Sequence, residues 1–101
     1  MSEFYAPIDP DILRRERAKA RELRQSQWWK RRFAEGVCHY CRRRVGHRAL
    51  TMDHRVPLGR GGRSTRGNVV PACKECNTNK KTLVPLEWQA YLERLQESST
   101  D

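Results

Sequence analysis

The fold is decided between Cys38-His-Tyr-Cys41 and Cys73-Lys-Glu-Cys76, two Cys-x-x-Cys turns that enclose the centre of the chain. Each turn lets two thiolates reach one ion, and two such turns complete a tetrahedral shell without an open position, so the pattern predicts a structural Zn²⁺ ion. Disulfides would need an oxidising compartment, and a thioredoxin-like pair would need a βαβ context. The N-terminus lacks the basic region and apolar run of a signal peptide, and no βαβ pattern is present, so zinc is favoured. His39 and His47 could replace a sulfur in principle, but with four cysteines available they are interpreted as surface residues.

A polar centre lies between the two turns, in the stretch Met52-Asp-His-Arg-Val-Pro-Leu58, and Asn77 follows the last cysteine. Hydrolysis of a phosphodiester needs a base that works near neutral pH, as histidine does, and a hard divalent cation with oxygen ligands. His54 can be the base, and Asp53 and Asn77 can supply the oxygens. Plainer interpretations exist, since an Asp-His pair can be structural and an asparagine can serve as a turn or cap residue. Neighbouring residues of a strand also point to opposite faces, so Asp53 and His54 can serve one phosphate only if the strand is distorted there.

Length and charge narrow the class of protein. The chain has 101 residues, 37% of them apolar and 33% charged, which predicts one domain with a small core held together by a metal. Its net charge is +9, with 21 basic against 12 acidic residues, and such a balance favours a polyanionic partner. Because many arginines lie in the body of the chain and their planar forks suit phosphate, nucleic acid is the favoured partner. No apolar run reaches transmembrane length.

Local signals predict an α+β fold. One long basic helix is expected from Asp9, a good N-cap before Pro10, to Gly36. Then come a strand over 49–56, a glycine-rich loop over 57–67, a second strand over 68–72 that ends at its proline, a short helix over 73–82 and a final helix over 85–97. The predicted units are an N-terminal helix or arm (1–36), a zinc-clamped domain with the C-terminal helix (37–97) and a frayed tail (98–101).

Taken together, these motifs resemble those of the HNH endonucleases, of the ββα-metal class with a four-cysteine zinc site. The resemblance covers roughly residues 37–82 and is carried by the cysteine pairs, the Asp53–Leu58 stretch, Gly61-Gly62, Asn68, Asn77 and Lys80. It implies that His54 is the general base, that Asp53 and Asn77 ligate the catalytic divalent metal, and that Asn68 orients the loop between the strands. Asn77 stands where the family often has histidine, which makes this an HNN variant and favours Mg²⁺ or Mn²⁺ over Zn²⁺ or Ni²⁺.

The function predicted from the sequence is that of a metal-dependent DNA endonuclease, with residues 37–97 as the nuclease domain. The resemblance implies products with 5′-phosphate and 3′-hydroxyl ends. One active site cuts one strand, so a monomer should nick and a double-strand break would need a homodimer or two visits. No recognition helix is apparent, so binding of double-stranded DNA should be tolerant of sequence. Six basic residues are candidates for phosphate contacts: Arg55, Arg60, Arg63, Arg66, Lys80 and Lys81.

Two alternatives stay open at this point. The first is a non-catalytic, zinc-stabilised module that binds nucleic acid or a partner protein, which divalent-metal dependence would separate from an enzyme. The second is a nuclease that acts on RNA or on structured DNA. The absence of a signal peptide and the four thiols predict a reducing, cytoplasmic setting. A short chain without a specificity domain fits a bacterial or phage-encoded nuclease.

Overall fold

The order of elements confirms the α+β class. The computed structural model describes residues 7–99. Over that range the chain forms two helices, a two-stranded antiparallel sheet and two further helices. Their bounds are α1 Pro10–Gln25, α2 Gln27–Ala34, β1 Leu50–His54, β2 Val69–Cys73, α3 Lys74–Lys80 and α4 Pro85–Ser99, with short 3-10 turns at His47–Ala49 and Leu58–Arg60.

The N-terminal segment differs from its prediction, because two helices replace the single long helix expected over residues 9–36. The break is at Ser26, whose backbone is extended, with ψ of 151°. Its hydroxyl donates to the carbonyl of Leu23 (2.6 Å) and accepts from the N–H of Trp29 (3.2 Å). One serine therefore closes α1 and caps α2, which stabilises a non-helical residue at this point. At the other end, Asp9 caps α1 as predicted and accepts from the N–H of Asp11 at 2.8 Å.

The sheet pairs β1 with β2 in regular register, from Leu50 opposite Cys73 to His54 opposite Val69. Pro71 lies inside β2 and does not end it, which corrects the prediction. Its carbonyl accepts from the N–H of His39, at 2.8 Å, on the side away from β1. Because the N and O of one strand residue point to the same side, the missing N–H of Pro71 also faces away from β1, and the ladder loses no hydrogen bond.

The core gathers around the cysteines. The buried cluster comprises Cys38, Leu50, Cys73, Cys76 and Trp88. The Trp88 ring lies edge-on to Tyr40, with 5.5 Å between ring centroids, and stacks on Tyr91 at 5.4 Å, so aromatic contacts anchor α4 to the first cysteine turn.

The C-terminal helix runs to Ser99, two residues beyond its predicted end. Residues 98 and 99, predicted to belong to a frayed tail, therefore have helical backbone, and residues 100–101 of that tail lie outside the described residues. Within residues 7–99, no helix combines the length and apolar character that crossing a membrane requires.

Candidate functional site

The four cysteines come together in one cluster, defined by Cys38, Cys41, Cys73 and Cys76. Their Sγ atoms all lie within 4.8 Å of one another, and those of Cys41 and Cys73 are 3.9 Å apart. A tetrahedral zinc with Zn–S bonds of about 2.3 Å would separate its sulfurs by roughly 3.8 Å. The donor set and the spacing therefore fit one tetrahedral thiolate-bound ion, and the predicted grouping of the four cysteines is confirmed.

The surroundings of this four-cysteine cluster favour thiolates. Arg43 Nε donates to Cys41 Sγ at 3.3 Å, and its Nη2 reaches Cys73 Sγ at 3.8 Å. Burial raises the pKa of Cys41, but hydrogen bonds from Arg43 outweigh it and bring this pKa to about 6. Burial raises the pKa of Cys76. A cluster of this kind holds negative charge at one edge before a metal displaces the remaining thiol protons.

Asp53 lies at the end of β1 and is buried, with 8% of its surface exposed. Its Oδ2 accepts from the Tyr40 hydroxyl at 2.5 Å and pairs with Lys80 Nζ at 3.4 Å. Burial and the hydrogen bond to Asp53 raise the pKa of Tyr40, so the phenol remains a donor near neutral pH. A buried carboxylate needs such partners to offset its loss of hydration.

Lys80 was a candidate for phosphate contact, but its side chain is 0% exposed. Besides the ion pair with Asp53, its ammonium donates to the carbonyl of His54 at 3.1 Å. Lys80 therefore joins α3 to the end of β1 and balances the Asp53 charge. A contact with DNA would require the side chain to leave this position.

His54 lies on the other side of β1 from Asp53. Its Nε2 is 2.9 Å from Oγ of Ser64, a buried residue of the loop between the strands. Burial lowers the pKa of His54, while the Asp53 charge opposes that effect. The ring is thus held at one nitrogen, and burial favours its neutral form, in which one nitrogen can accept a proton.

Asn68 closes the loop between the strands. Its Oδ1 accepts from the N–H of Val56 (2.9 Å), and its Nδ2 donates to the carbonyls of Val56 (3.0 Å) and Arg63 (2.8 Å). Its own carbonyl accepts from the N–H of Arg55 at 2.8 Å. The side-chain amide therefore pairs with Val56 as a strand residue would, and it carries the ladder two residues past His54.

Asn77, on α3, faces the Asp53 side of β1. Its Nδ2 donates to Thr51 Oγ1 at 3.0 Å, and Thr51 shares a strand face with Asp53, two residues along. Within the described part of the chain, Asp53 uses Oδ2 for its contacts with Tyr40 and Lys80, and Asn77 uses Nδ2 for its contact with Thr51. One carboxylate and one amide oxygen fit, in kind, the ligands that Mg²⁺ or Mn²⁺ takes from a protein.

The catalytic candidates therefore divide between two faces of β1. Asp53 and Asn77 lie on the face toward α3, and His54 lies against the loop and α1. The strand stays in register through His54, so the distortion that would turn Asp53 and His54 to one side is not present in β1.

The remaining basic candidates differ in their surroundings. Arg55 and Lys81 are exposed, and neither pairs with an acidic side chain within the described part of the chain. Arg60 pairs with Glu87 at 3.1 Å, and Arg63 pairs with Glu16 at 3.4 Å. The Arg66 guanidinium lies 5.3 Å from the centre of the Trp28 ring. Arg55 and Lys81 are therefore the candidates that can contact phosphate without giving up an acidic or aromatic partner.

Sequence reasoning missed four residues that hold the candidate side chains in place: Glu16, Ser64, Tyr40 and Thr51. Tyr40 and Ser64 stood inside segments already singled out, the first cysteine turn and the glycine-rich loop. Glu16 had no signal of its own, because α1 also carries other charged residues at similar positions. Only its contacts in the folded protein distinguish Glu16 from the other charged residues of α1.

One comparison with known proteins bears on this site. Residues 38–83 match the family model described as HNH endonuclease. The match includes both cysteine turns and all four catalytic candidates, so the resemblance seen in the motifs is confirmed. HNH domains act on nucleic acids, and the match therefore indicates a nuclease or nucleic-acid-binding function. No curated protein matches the chain.

Proposed function

From the match of residues 38–83 to the HNH endonuclease family model, we propose that this protein is a metal-dependent DNA endonuclease that nicks one strand of duplex DNA. The observation that carries the proposal is the placement of His54 at the end of β1, with Nε2 held 2.9 Å from Ser64 Oγ and Asp53 next to it in the chain. A histidine fixed at one ring nitrogen leaves the other nitrogen to take a proton from water.

In the proposed mechanism His54 is the general base and removes a proton from the attacking water. Because Asp53 and His54 have partners on different sides of β1, this mechanism requires the end of the strand to turn when the metal ion and DNA bind. Asp53 and Asn77 would hold one Mg²⁺ or Mn²⁺ ion, and such an ion supplies positive charge that stabilises the phosphate and the departing 3′ oxygen. Tyr40 orients the Asp53 carboxylate, and Asn68 braces the loop behind His54. Cleavage of the bond between phosphorus and the 3′ oxygen leaves 5′-phosphate and 3′-hydroxyl ends.

Duplex DNA is the proposed substrate because of the net charge of +9 and the exposed Arg55 and Lys81. Contacts to phosphate carry no base information, so low sequence specificity is expected. We assign the four-cysteine cluster to a structural Zn²⁺ ion that ties the first cysteine turn to β2 and α3. A monomer with one active site nicks one strand, and a homodimer with two active sites would cut both strands.

The test is cleavage of supercoiled plasmid in Mg²⁺, Mn²⁺, Zn²⁺ or EDTA, with the wild-type protein, His54→Ala and the matched control His47→Ala. His47 is exposed and lies outside the proposed site. We expect open-circle product with Mg²⁺ or Mn²⁺ from the wild type and the control, and none from His54→Ala, which still shifts DNA on a gel. Cleavage by His54→Ala at the wild-type rate would refute the general-base role.

A non-catalytic nucleic-acid-binding module is the second candidate, and one observation favours it. The Asp53 carboxylate already has a cationic partner in Lys80, at 3.4 Å, and lies across β1 from His54. DNA binding without cleavage in any of the four conditions would select this candidate. Parallel assays on branched DNA and RNA test the substrate. Cleavage of one of these, but not of duplex DNA, would keep the nuclease activity and change the proposed substrate.

A further inference from the structure

Glu16 is a buried acidic residue of α1, outside the segment that matches the nuclease family. Only 2% of its surface is exposed. Its Oε1 accepts from the backbone N–H of Ser64 at 2.7 Å, and its own carbonyl accepts from the Ser64 hydroxyl at 2.6 Å. Lys19 (3.2 Å) and Arg63 (3.4 Å) pair with Oε2. Glu16 thus holds Ser64 twice: the Glu16 side chain binds the Ser64 backbone, and the Glu16 backbone binds the Ser64 side chain.

These contacts fix the direction of the hydrogen bond to His54. A serine hydroxyl has one proton, and a carbonyl can only accept, so the proton of Ser64 goes to the carbonyl of Glu16. Toward His54 the same hydroxyl is therefore an acceptor, and Nε2 of the ring must donate. The neutral ring then carries its proton on Nε2 and its lone pair on Nδ1, and Nδ1 makes no hydrogen bond to any described residue.

We propose that Glu16 and Ser64 are positioning residues for His54, so that α1 contributes to the active site although it lies outside the segment that matches the nuclease family. Ser64 holds the ring through Nε2, and Glu16 holds Ser64. Nδ1 is the atom left to accept the proton from water. The inference rests on the proposed function for the role of His54 as base, while the hydrogen bonds themselves can be tested without any cleavage.

The first experiment is NMR on zinc-loaded protein labelled with ¹⁵N at histidine, without DNA. In the wild type, we expect a resolved Nε2–H proton of His54 that exchanges slowly with water and shows a nuclear Overhauser effect to the Ser64 β protons. Ser64→Ala should lose the protected proton. Thr65→Ala, which changes the exposed neighbour in the same loop, should keep it.

The second experiment measures nicking kinetics. We expect Ser64→Ala and Glu16→Ala to lower kcat by about tenfold to a hundredfold, the size typical of residues that orient a reacting group through one intermediate contact, with little change in KM. Glu16→Gln keeps an acceptor for the Ser64 N–H and should recover part of the loss. Glu22→Gln, at an exposed position of the same helix, should match the wild type.

Circular dichroism and zinc content identify any variant that fails to fold. If Glu16→Ala does not fold, the kinetics of Glu16→Gln and Ser64→Ala are compared with those of the wild type instead. Folded Ser64→Ala with wild-type kcat refutes the positioning role while leaving the nuclease intact. A wild-type ring with no proton on Nε2 refutes the hydrogen-bond chain whatever the activity. A wild type that cleaves nothing but keeps the protected proton refutes the proposed function and shows that the chain of contacts serves structure alone.

Discussion

Asn68 braces the loop behind His54, and its replacement should destabilise the protein. Asn68→Ala removes three side-chain hydrogen bonds, of 2.9, 3.0 and 2.8 Å, two of them to the backbone of Val56. Each partly buried bond contributes about 1 kcal/mol net, and the exposed bond to Arg63 roughly half of that. The free energy of unfolding should therefore fall by about 2–3 kcal/mol. Small domains have free energies of unfolding of about 5–15 kcal/mol, so the loss is a large fraction of the total.

The assay is urea unfolding of zinc-loaded protein followed by circular dichroism, with Asn79→Ala, an exposed position of α3, as the matched control. Asn68→Asp separates shape from hydrogen bonding, since it keeps the acceptor for the Val56 N–H but turns a carboxylate oxygen toward two carbonyls. It should be destabilised at least as much as Asn68→Ala. An Asn68→Ala protein within about 0.5 kcal/mol of the wild type would show that the three bonds do not brace the loop.

Three further predictions concern the metal, the loop and the break between the first helices. Cys73→Ser should lose zinc, measured by elemental analysis, and unfold, because structural zinc contributes directly to folding; a folded, zinc-loaded, active variant would contradict the structural role. Gly62→Ala would place its Cβ 1.8 Å from a backbone oxygen and should cost about 2 kcal/mol or more in unfolding free energy, while Gly67→Ala, with open space around it, should change that energy by less than about 0.5 kcal/mol. Ser26→Ala should cost about 1 kcal/mol through the lost cap, and Ser26→Asp should restore most of it; equal stability of all three proteins would argue against capping as the cause of the break.

Features whose signal lies within a few residues could be predicted from the sequence. The two Cys-x-x-Cys turns predicted the four-cysteine cluster, because each turn fixes two thiolates locally and four thiolates suit one tetrahedral ion. Asp9 before Pro10 gave the start of α1, and the α+β order followed from the helix and strand patterns. The break at Ser26 had a local signal as well, since serine is a common N-cap, but the basic helical pattern continues on both sides and hid it.

Tertiary structure alone decided what surrounds the candidate catalytic residues. Glu16 and Ser64 are 48 positions apart, and no local pattern pairs them. Lys80 looked like a surface cation, but packing of α3 on β1 buries it against Asp53. Local spacing reports backbone conformation over one or two turns, whereas these contacts depend on how whole elements pack against one another. For that reason the sequence by itself determined the four-cysteine cluster and the chemical types of the candidate site residues, and the packing of α1 and α3 determined which partners His54 and Asp53 have.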